Sequence, residues 1–312
     1  MPFPPLLDAC YLTGPTASGK TGVGLQLAGV LNAEIVSLDS MALYRGMDIG
    51  TAKPTSDERA RVPHHLVDVL DPSEEHSLAE YVAAAHRAVD DIRCRGRQAL
   101  FVGGTPLYLK ALLRGIFEGP PADPQLRRQL ADEERQHGPG RLHRRLAEVD
   151  PAAAQKLHPN DSRRLIRALE VFEKTGRPIS SFQEQFERGA PAEAVRVFAL
   201  DWPREELYRR IDRRVEAMFV AGLVAETERL RTAGRPLGKT ARQALGYREV
   251  LEHLAGERSL EATIALVQTH TRQFAKRQGT WFRSLSECRF IPMSDGEAPE
   301  DVAARIAAQV AR

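Results

Sequence analysis

The sequence predicts an α/β fold in which a parallel sheet is flanked by helices and a small all-helical segment is inserted. Three observations point to it. A glycine-rich loop stands between an apolar run and a helical pattern. Short apolar strands then alternate with amphipathic helices through the first third of the chain. From Pro120-Pro121 the composition turns to Arg-, Glu- and Ala-rich helical segments before an apolar strand returns near residue 195. The expected division is a first part of the core over 1–121, a helical insertion over 122–190, and a second, mostly helical part of the core over 191–312.

The loop is Gly14-Pro15-Thr16-Ala17-Ser18-Gly19-Lys20-Thr21, which fits G-x-x-x-x-G-K-[ST] in full. Leu6, Leu7, Ala9, Cys10, Tyr11 and Leu12 lead in as a strand, and Val23, Leu25, Leu27, Ala28, Val30 and Leu31 lead out as a helix. This context makes the core P-loop NTPase-like. In such a loop the glycines let backbone N–H groups converge on phosphate oxygens. Gly14, Thr16, Ala17, Ser18, Gly19, Lys20 and Thr21 are therefore expected to hold a diphosphate or triphosphate. Lys20 adds a cation and the Thr21 hydroxyl is a candidate Mg²⁺ ligand.

Glu34 to Asp39 (EIVSLD) reads as a short strand ending in a carboxylate, and Asp39 to Pro54 as a long loop with little periodicity. Ser73 to Arg93 is helical in pattern, with Ser77 and Glu80 spaced as a capping box. Ala99 to Val102 is an apolar strand that runs into Gly103-Gly104-Thr105, followed by a helix from Pro106. The insertion is expected to be helical to about Phe186, broken at Gly138-Pro139-Gly140, Asp150-Pro151 and His158-Pro159-Asn160-Asp161. After a strand over 195–200, helices are expected over 204–230, 243–254, 260–282 and 298–312. In parallel sheets ligands bind at the carboxyl ends of the strands. The loop, Asp39 and Thr105 each follow a strand, so one crevice should gather all three.

The bulk properties exclude several classes. A hydrophobic share of 42% beside 28% charged residues is that of an ordinary globular chain. No apolar stretch approaches ~18 residues, and the start lacks the basic segment of a secretory leader, so a cytoplasmic protein is expected, with no membrane partner. Cys10, Cys94 and Cys288 are far apart with no C-x-x-C pair, and all three are read as small core residues. The net charge of +2 conceals an asymmetry: residues 1–122 are net −3 and the remainder net +5. The excess lies in clusters at Arg127-Arg128, Arg163-Arg164 with Arg167, Arg209-Arg210 with Arg213-Arg214, and Arg272, Lys276, Arg277 and Arg283. Each could be a solvated helix face. Together, outside the phosphate-loop half, they are equally the footprint of a polyanion.

Asp39 has three readings on geometry alone: a magnesium ligand, a general base, or a hydrogen-bonding cap on its own loop. Thr105 is more often a helix cap than a catalytic hydroxyl. The pair His64-His65 lacks any metal-ligand spacing and is read as structural. Thr280-Trp281-Phe282 after Lys276-Arg277-Gln278 is either a core anchor with basic neighbours or a surface on which bases stack.

These motifs in order closely resemble tRNA dimethylallyltransferases, here of the bacterial form, because no C-terminal zinc finger follows as in eukaryotic relatives. The resemblance rests on the loop at 14–21, on Asp39-Ser40 with Tyr44 to Pro54, and on Gly103-Gly104-Thr105 with Leu107-Tyr108. It extends to His158 to Asp161 with Arg164 and Arg167 to Val171, to Gly246-Tyr247-Arg248-Glu249, and to Thr271-Arg272-Gln273-x-Ala275-Lys276-Arg277-Gln278-x-Thr280-Trp281-Phe282-Arg283. It implies transfer of a dimethylallyl group from dimethylallyl diphosphate to N6 of adenosine 37 in tRNAs reading codons that begin with U. Asp39 would be the base, Thr105 would lie near the bridging oxygen, and Lys20 and Mg²⁺ would stabilise the departing diphosphate. By the same resemblance Asp39, Ser40, Met41, Ala42, Thr105, Arg127, Arg163, Arg164, Leu165, Ile166, Arg167, Gln243, Gly246, Tyr247, Arg248, Lys276, Arg277, Gln278, Thr280, Trp281 and Arg283 would contact the tRNA anticodon stem-loop. Ala42 and Arg163 depart from the glutamines common in the family, which at 163 favours phosphate contact over base reading. A monomer is expected.

Overall fold

A computed structural model of the chain describes residues 3–116, 119–182 and 189–310. The ends of the expected helical stretches at Phe186 and Arg312 fall outside the described residues. Two compact units are present: Pro5–Leu113 with Gly189–Arg312, and Arg114–Arg188 with Met1–Pro4.

The larger unit opens with β1 (Cys10–Thr13), α1 (Lys20–Val30), β2 (Ala33–Ser37), α2 (Ser56–Arg61), β3 (His64–His65), α3 (Leu78–Cys94), β4 (Gln98–Val102) and α4 (Pro106–Arg114). The smaller unit follows as α5 (Pro124–His137), α6 (Arg141–Val149), α7 (Pro151–Lys156) and α8 (Ser162–Thr175). The larger unit resumes with β5 (Arg196–Asp201), α9 (Arg204–Val220), α10 (Leu223–Thr232), α11 (Lys239–Arg242), α12 (Tyr247–Leu254), α13 (Leu260–Arg283), β6 (Cys288–Pro292) and α14 (Pro299–Val310).

The six strands form one parallel sheet in the order β3-β2-β4-β1-β5-β6. β1 lies centrally, with Cys10 opposite Leu100 on one side and Arg196 on the other. Its four residues are all buried, as the continuous apolar run requires of a strand covered on both faces. Leu12, Leu27, Leu100, Phe198, Ile211, Val302 and Ile306 meet in the main core, which draws on strands and on helices α1, α9 and α14. Because every strand is parallel, Thr13, Ser37, Val102 and Asp201 end at the same edge, and their following loops share it.

Several elements differ from expectation. The stretch 204–230 is two helices because Gly222, at φ 103°, ends the first and begins the next. α3 starts at Leu78 rather than Ser73, with the Ser77–Glu80 capping box formed in both directions. β6 was not expected: only Cys288 and Ile291 of its sequence CRFIP are buried, without a period-two pattern, at the sheet's edge. His64 and His65 make the short edge strand β3, and His65 Nε2 lies 2.6 Å from the buried Glu34 carboxylate. Cys10 and Cys288 are buried, but Cys94 is exposed in the last turn of α3, which corrects the reading of all three as core residues.

The helical unit has its own core of Leu130, Leu142, Leu146, Leu165, Leu169 and Val171. Proline in the first turn with an aspartate cap starts both α5 (Asp123) and α7 (Asp150), and Asp161 caps α8. No helix among the described residues is long and apolar enough to cross a membrane.

Candidate active site

The phosphate loop joins β1 to α1, and its backbone uses conformations that few sequences allow. Gly14 (φ 139°), Ala17 (φ 63°) and Gly19 (φ 90°) all have positive φ. A Cβ on Gly14 would sit 2.9 Å from the Leu200 carbonyl of β5, so only glycine fits against that strand. The loop is braced from behind. Trp202 Nε1 donates to the Ser18 carbonyl at 2.9 Å, Arg210 Nε donates to the Ala17 carbonyl at 3.0 Å, and the Arg210 guanidinium stacks 4.2 Å from the Trp202 ring.

Lys20 begins α1 and folds back over the loop. Its Nζ donates to the carbonyls of Gly14 (2.9 Å) and Pro15 (2.7 Å). Burial, and then the positive charge of Arg214 on α9, pull the Lys20 ammonium down to about 7, while Asp39 opposes the shift. Arg214 is likewise held below its usual range by burial and supported by Asp39. Two cations and one carboxylate thus share a confined space, with a net positive charge suited to a polyphosphate. Arg214 is the site residue that sequence reasoning did not single out. It stood in the Arg209 to Arg214 cluster, and only the fold of α9 onto the loops distinguishes it from its neighbours.

Asp39 follows β2 two residues on. Its Oδ1 accepts the Met41 N–H at 2.8 Å, which fixes the carboxylate in a turn, while no hydrogen bond to Oδ2 is made among the described residues. Thr105 follows β4. Its carbonyl accepts the Leu109 N–H, as an N-cap carbonyl does, but its hydroxyl oxygen accepts the Ser40 N–H at 3.1 Å instead of an amide of α4. The hydroxyl retains a proton to donate. Leu38 and Val102 exchange further backbone bonds with this corner, through Leu38 N to Val102 O and Thr105 N to Leu38 O. Gly103 permits that approach, since a Cβ there would lie 2.3 Å from the Leu38 backbone. The phosphate loop, Asp39 and Thr105 therefore converge at the sheet's carboxyl edge as expected.

The loop after Asp39 is held by two buried charges. Glu226 on α10 accepts the N–H groups of Asp48, Ile49 and Gly50 at 3.0 to 3.2 Å, and the Tyr247 hydroxyl at 2.6 Å. Lys53 donates to the Tyr44 carbonyl, Asp48 and Asp68.

The residues expected to touch RNA sort by exposure. Arg163, Arg164, Gln243, Arg248, Lys276, Arg277, Thr280 and Arg283 are exposed, and Ser40, Met41, Arg127, Ile166, Arg167 and Trp281 are half-buried. Ala42, Leu165, Gly246, Tyr247 and Gln278 are buried. Leu165 packs in the helical core, and Tyr247 binds Glu226. Gln278 accepts the Thr16 N–H at 2.9 Å and donates to the Gly104 carbonyl at 2.6 Å. Arg127 and Arg167 both grip the fully buried Glu170.

A family model described as IPP transferase matches residues 42–285. The chain belongs to the IPP transferase family. Within it, the chain is 50% identical over 310 residues to a tRNA dimethylallyltransferase of Rhodopirellula baltica, an alignment covering 96% of this chain and 93% of that one. The tRNA isopentenylpyrophosphate transferase of Bacillus halodurans superposes with a TM-score of 0.70 at 38% identity, covering 97% and 96% of the two chains. A eukaryotic dimethylallyltransferase acting on tRNA superposes with a TM-score of 0.78 at 29% identity, over 96% of this chain and 77% of that one. The parallel sheet and its flanking helices are thus the fold of the family.

Proposed function

We propose that this IPP transferase moves the dimethylallyl group of dimethylallyl diphosphate to N6 of adenosine 37 in tRNAs that read codons beginning with U, releasing diphosphate. The observation that carries the reading is the convergence of a phosphate loop, a turned carboxylate and a hydroxyl at one edge of the sheet. A phosphate loop with Lys20 and Arg214 holds a diphosphate. The adenine N6 lone pair is delocalised into its ring, so attack on the allylic carbon needs a base that removes a proton as the bond forms. Asp39, held through Oδ1, offers Oδ2 for that proton. The N6–C1 bond forms as C1–O breaks, the proton passes to Asp39, and the bridging oxygen leaves with the diphosphate. The Thr105 hydroxyl donates to that oxygen, and Lys20 and the loop amides balance the growing charge.

Magnesium suits the donor set. The Thr21 hydroxyl, a hard oxygen directly after Lys20, would be the chain's own ligand to the ion. When bound, the ion neutralises charge on the leaving group. The exposed Arg163 and Arg164 on α8 and the exposed cations of α12 and α13 supply phosphate contacts for an anticodon stem-loop. The target base must leave the loop's stack to be reached, as with other enzymes that act on a base. A cytoplasmic monomer completes the reading.

Incubation with Mg²⁺, labelled dimethylallyl diphosphate and unmodified tRNA bearing A36-A37-A38 tests it. Label at A37 is the expected result. Label in free AMP offered separately would reassign the acceptor to free nucleotides, and ATP consumption without prenyl transfer would make the protein a small-molecule kinase.

A further inference from the structure

α13 carries three different surfaces along its length. Val267, Thr271, Ala275, Gln278 and Phe282 are buried. At the helical period of ~3.6 residues per turn, His270, Phe274, Arg277 and Trp281 form a stripe on one flank of that buried face, and Arg272, Lys276 and Arg283 lie on the other. The second flank is largely neutralised, since Arg272 pairs with Asp212 and Arg283 with Asp201. On the first flank the pattern is different. Phe274 is 38% exposed, and Arg277, with no carboxylate partner among the described residues, lies 6.0 Å from its ring centroid. Beyond Phe274, His270 meets Arg248 of α12 at 3.2 Å. Arg248 is itself paired with Glu249 and Trp281 is half-buried, so what this flank offers to solvent is the Phe274 ring beside the Arg277 guanidinium.

One exposed phenylalanine on a protein surface is ordinary. An exposed ring with an unneutralised guanidinium beside it is an arrangement suited to unpaired nucleic acid, because a base stacks on the ring while the adjoining phosphate meets the cation. The stripe is also fixed relative to the diphosphate cradle: Gln278, one turn after Phe274, bonds the loop at Thr16 and the Gly104 carbonyl.

We propose that Phe274 is a stacking platform for an unpaired base of the RNA next to the adenosine that reacts, with Arg277 holding the adjoining phosphate. The inference rests on RNA being the substrate.

The test uses the full-length protein, an unmodified anticodon stem-loop and dimethylallyl diphosphate. Phe274→Ala should raise Kd and KM for the stem-loop about 5- to 150-fold, the span of one lost base–aromatic stack. KM for dimethylallyl diphosphate and the thermal midpoint should stay as in the wild type. Phe274→Trp should restore binding, and its indole fluorescence should be quenched when the stem-loop is added. Phe274→Leu should fail to restore it. Wild-type affinity in Phe274→Ala, or full rescue by leucine, would overturn the platform while leaving the transferase reading intact. Wild-type protein that does not bind the stem-loop would overturn both.

Discussion

Gln278 Nε2 donates to the Gly104 carbonyl oxygen at 2.6 Å, and the same carboxamide accepts the Thr16 N–H at 2.9 Å. One side chain of α13 thus ties the phosphate loop to the loop that carries Thr105. A segment that the resemblance assigns to RNA contributes a buried crosspiece to the diphosphate cradle. Gln278→Leu keeps the volume and removes both bonds, leaving a buried N–H and C=O unsatisfied. The expected cost is about 1–3 kcal/mol of stability by chemical denaturation. KM for dimethylallyl diphosphate should rise more than KM for tRNA, and the opposite order would return Gln278 to direct RNA contact.

Asp39 and Thr105 meet through Ser40, whose N–H reaches the Thr105 hydroxyl. Asp39→Ala should lower turnover by about 10²–10⁴ with tRNA binding retained. Thr105→Val keeps the shape but loses the proton donor, so turnover should fall with little change in melting temperature. Single-turnover kinetics check both. An undiminished rate in Thr105→Val would leave its hydroxyl the structural task of holding Ser40.

The arginines of α8 should separate by role. Arg163 and Arg164 are exposed, whereas Arg167 binds the buried Glu170 and the Pro120 carbonyl. Replacing Arg163 and Arg164 with alanine should reduce the slope of log K against log salt for tRNA binding by about 1–2. Arg167→Ala should instead lower the stability of the helical unit. Filter binding across a salt series and thermal melting distinguish the two effects.

Acid should loosen both units through one carboxylate each. Burial alone would raise the Glu170 carboxyl, but hydrogen bonds from Arg127, the Asp123 N–H and Arg167 overturn this and hold it at about 2, against 4.5 when unfolded. Glu34 is held at about 2, chiefly by the Arg95 hydrogen bond and then by His65. Since both are depressed in the fold, their stabilisation is complete above pH 4.5 and is lost as pH falls towards 2. Circular dichroism over that range should show Glu170→Gln less stable at pH 7 and with a shallower acid transition than the wild type. An unchanged acid slope would remove Glu170 as its source.

What the sequence made legible was mostly what lies close together along it. The phosphate loop is eight consecutive residues with a distinctive pattern. The strands β1, β2, β4 and β5 are short apolar runs because both their faces are covered. β3 and β6 escaped because an edge strand of two residues, or one of mixed polarity, has no pattern that separates it from a loop. The site residues that escaped act across distance. Arg214 stands out from three neighbouring arginines only when α9 faces Asp39, and Glu226 becomes an anion cradle only when residues 48–50 fold over it. Conversely, Tyr247 and Gln278 look like surface contacts in a motif and prove to be buried.

The insertion has a consequence for how the chain reaches its folded state during synthesis. β1 bonds β4 on one side, but its other edge is closed by β5, with Cys10 opposite Arg196 and the whole helical unit encoded between them. A nascent chain therefore holds an almost wholly apolar strand with one open edge while the insertion is being made, and such edges invite pairing with other chains. The helical unit has its own core and capped helices, so it can settle independently during that interval. The sheet closes only when β5 and β6 emerge, which places the last steps of assembly, and the moment of greatest vulnerability before them, late in translation.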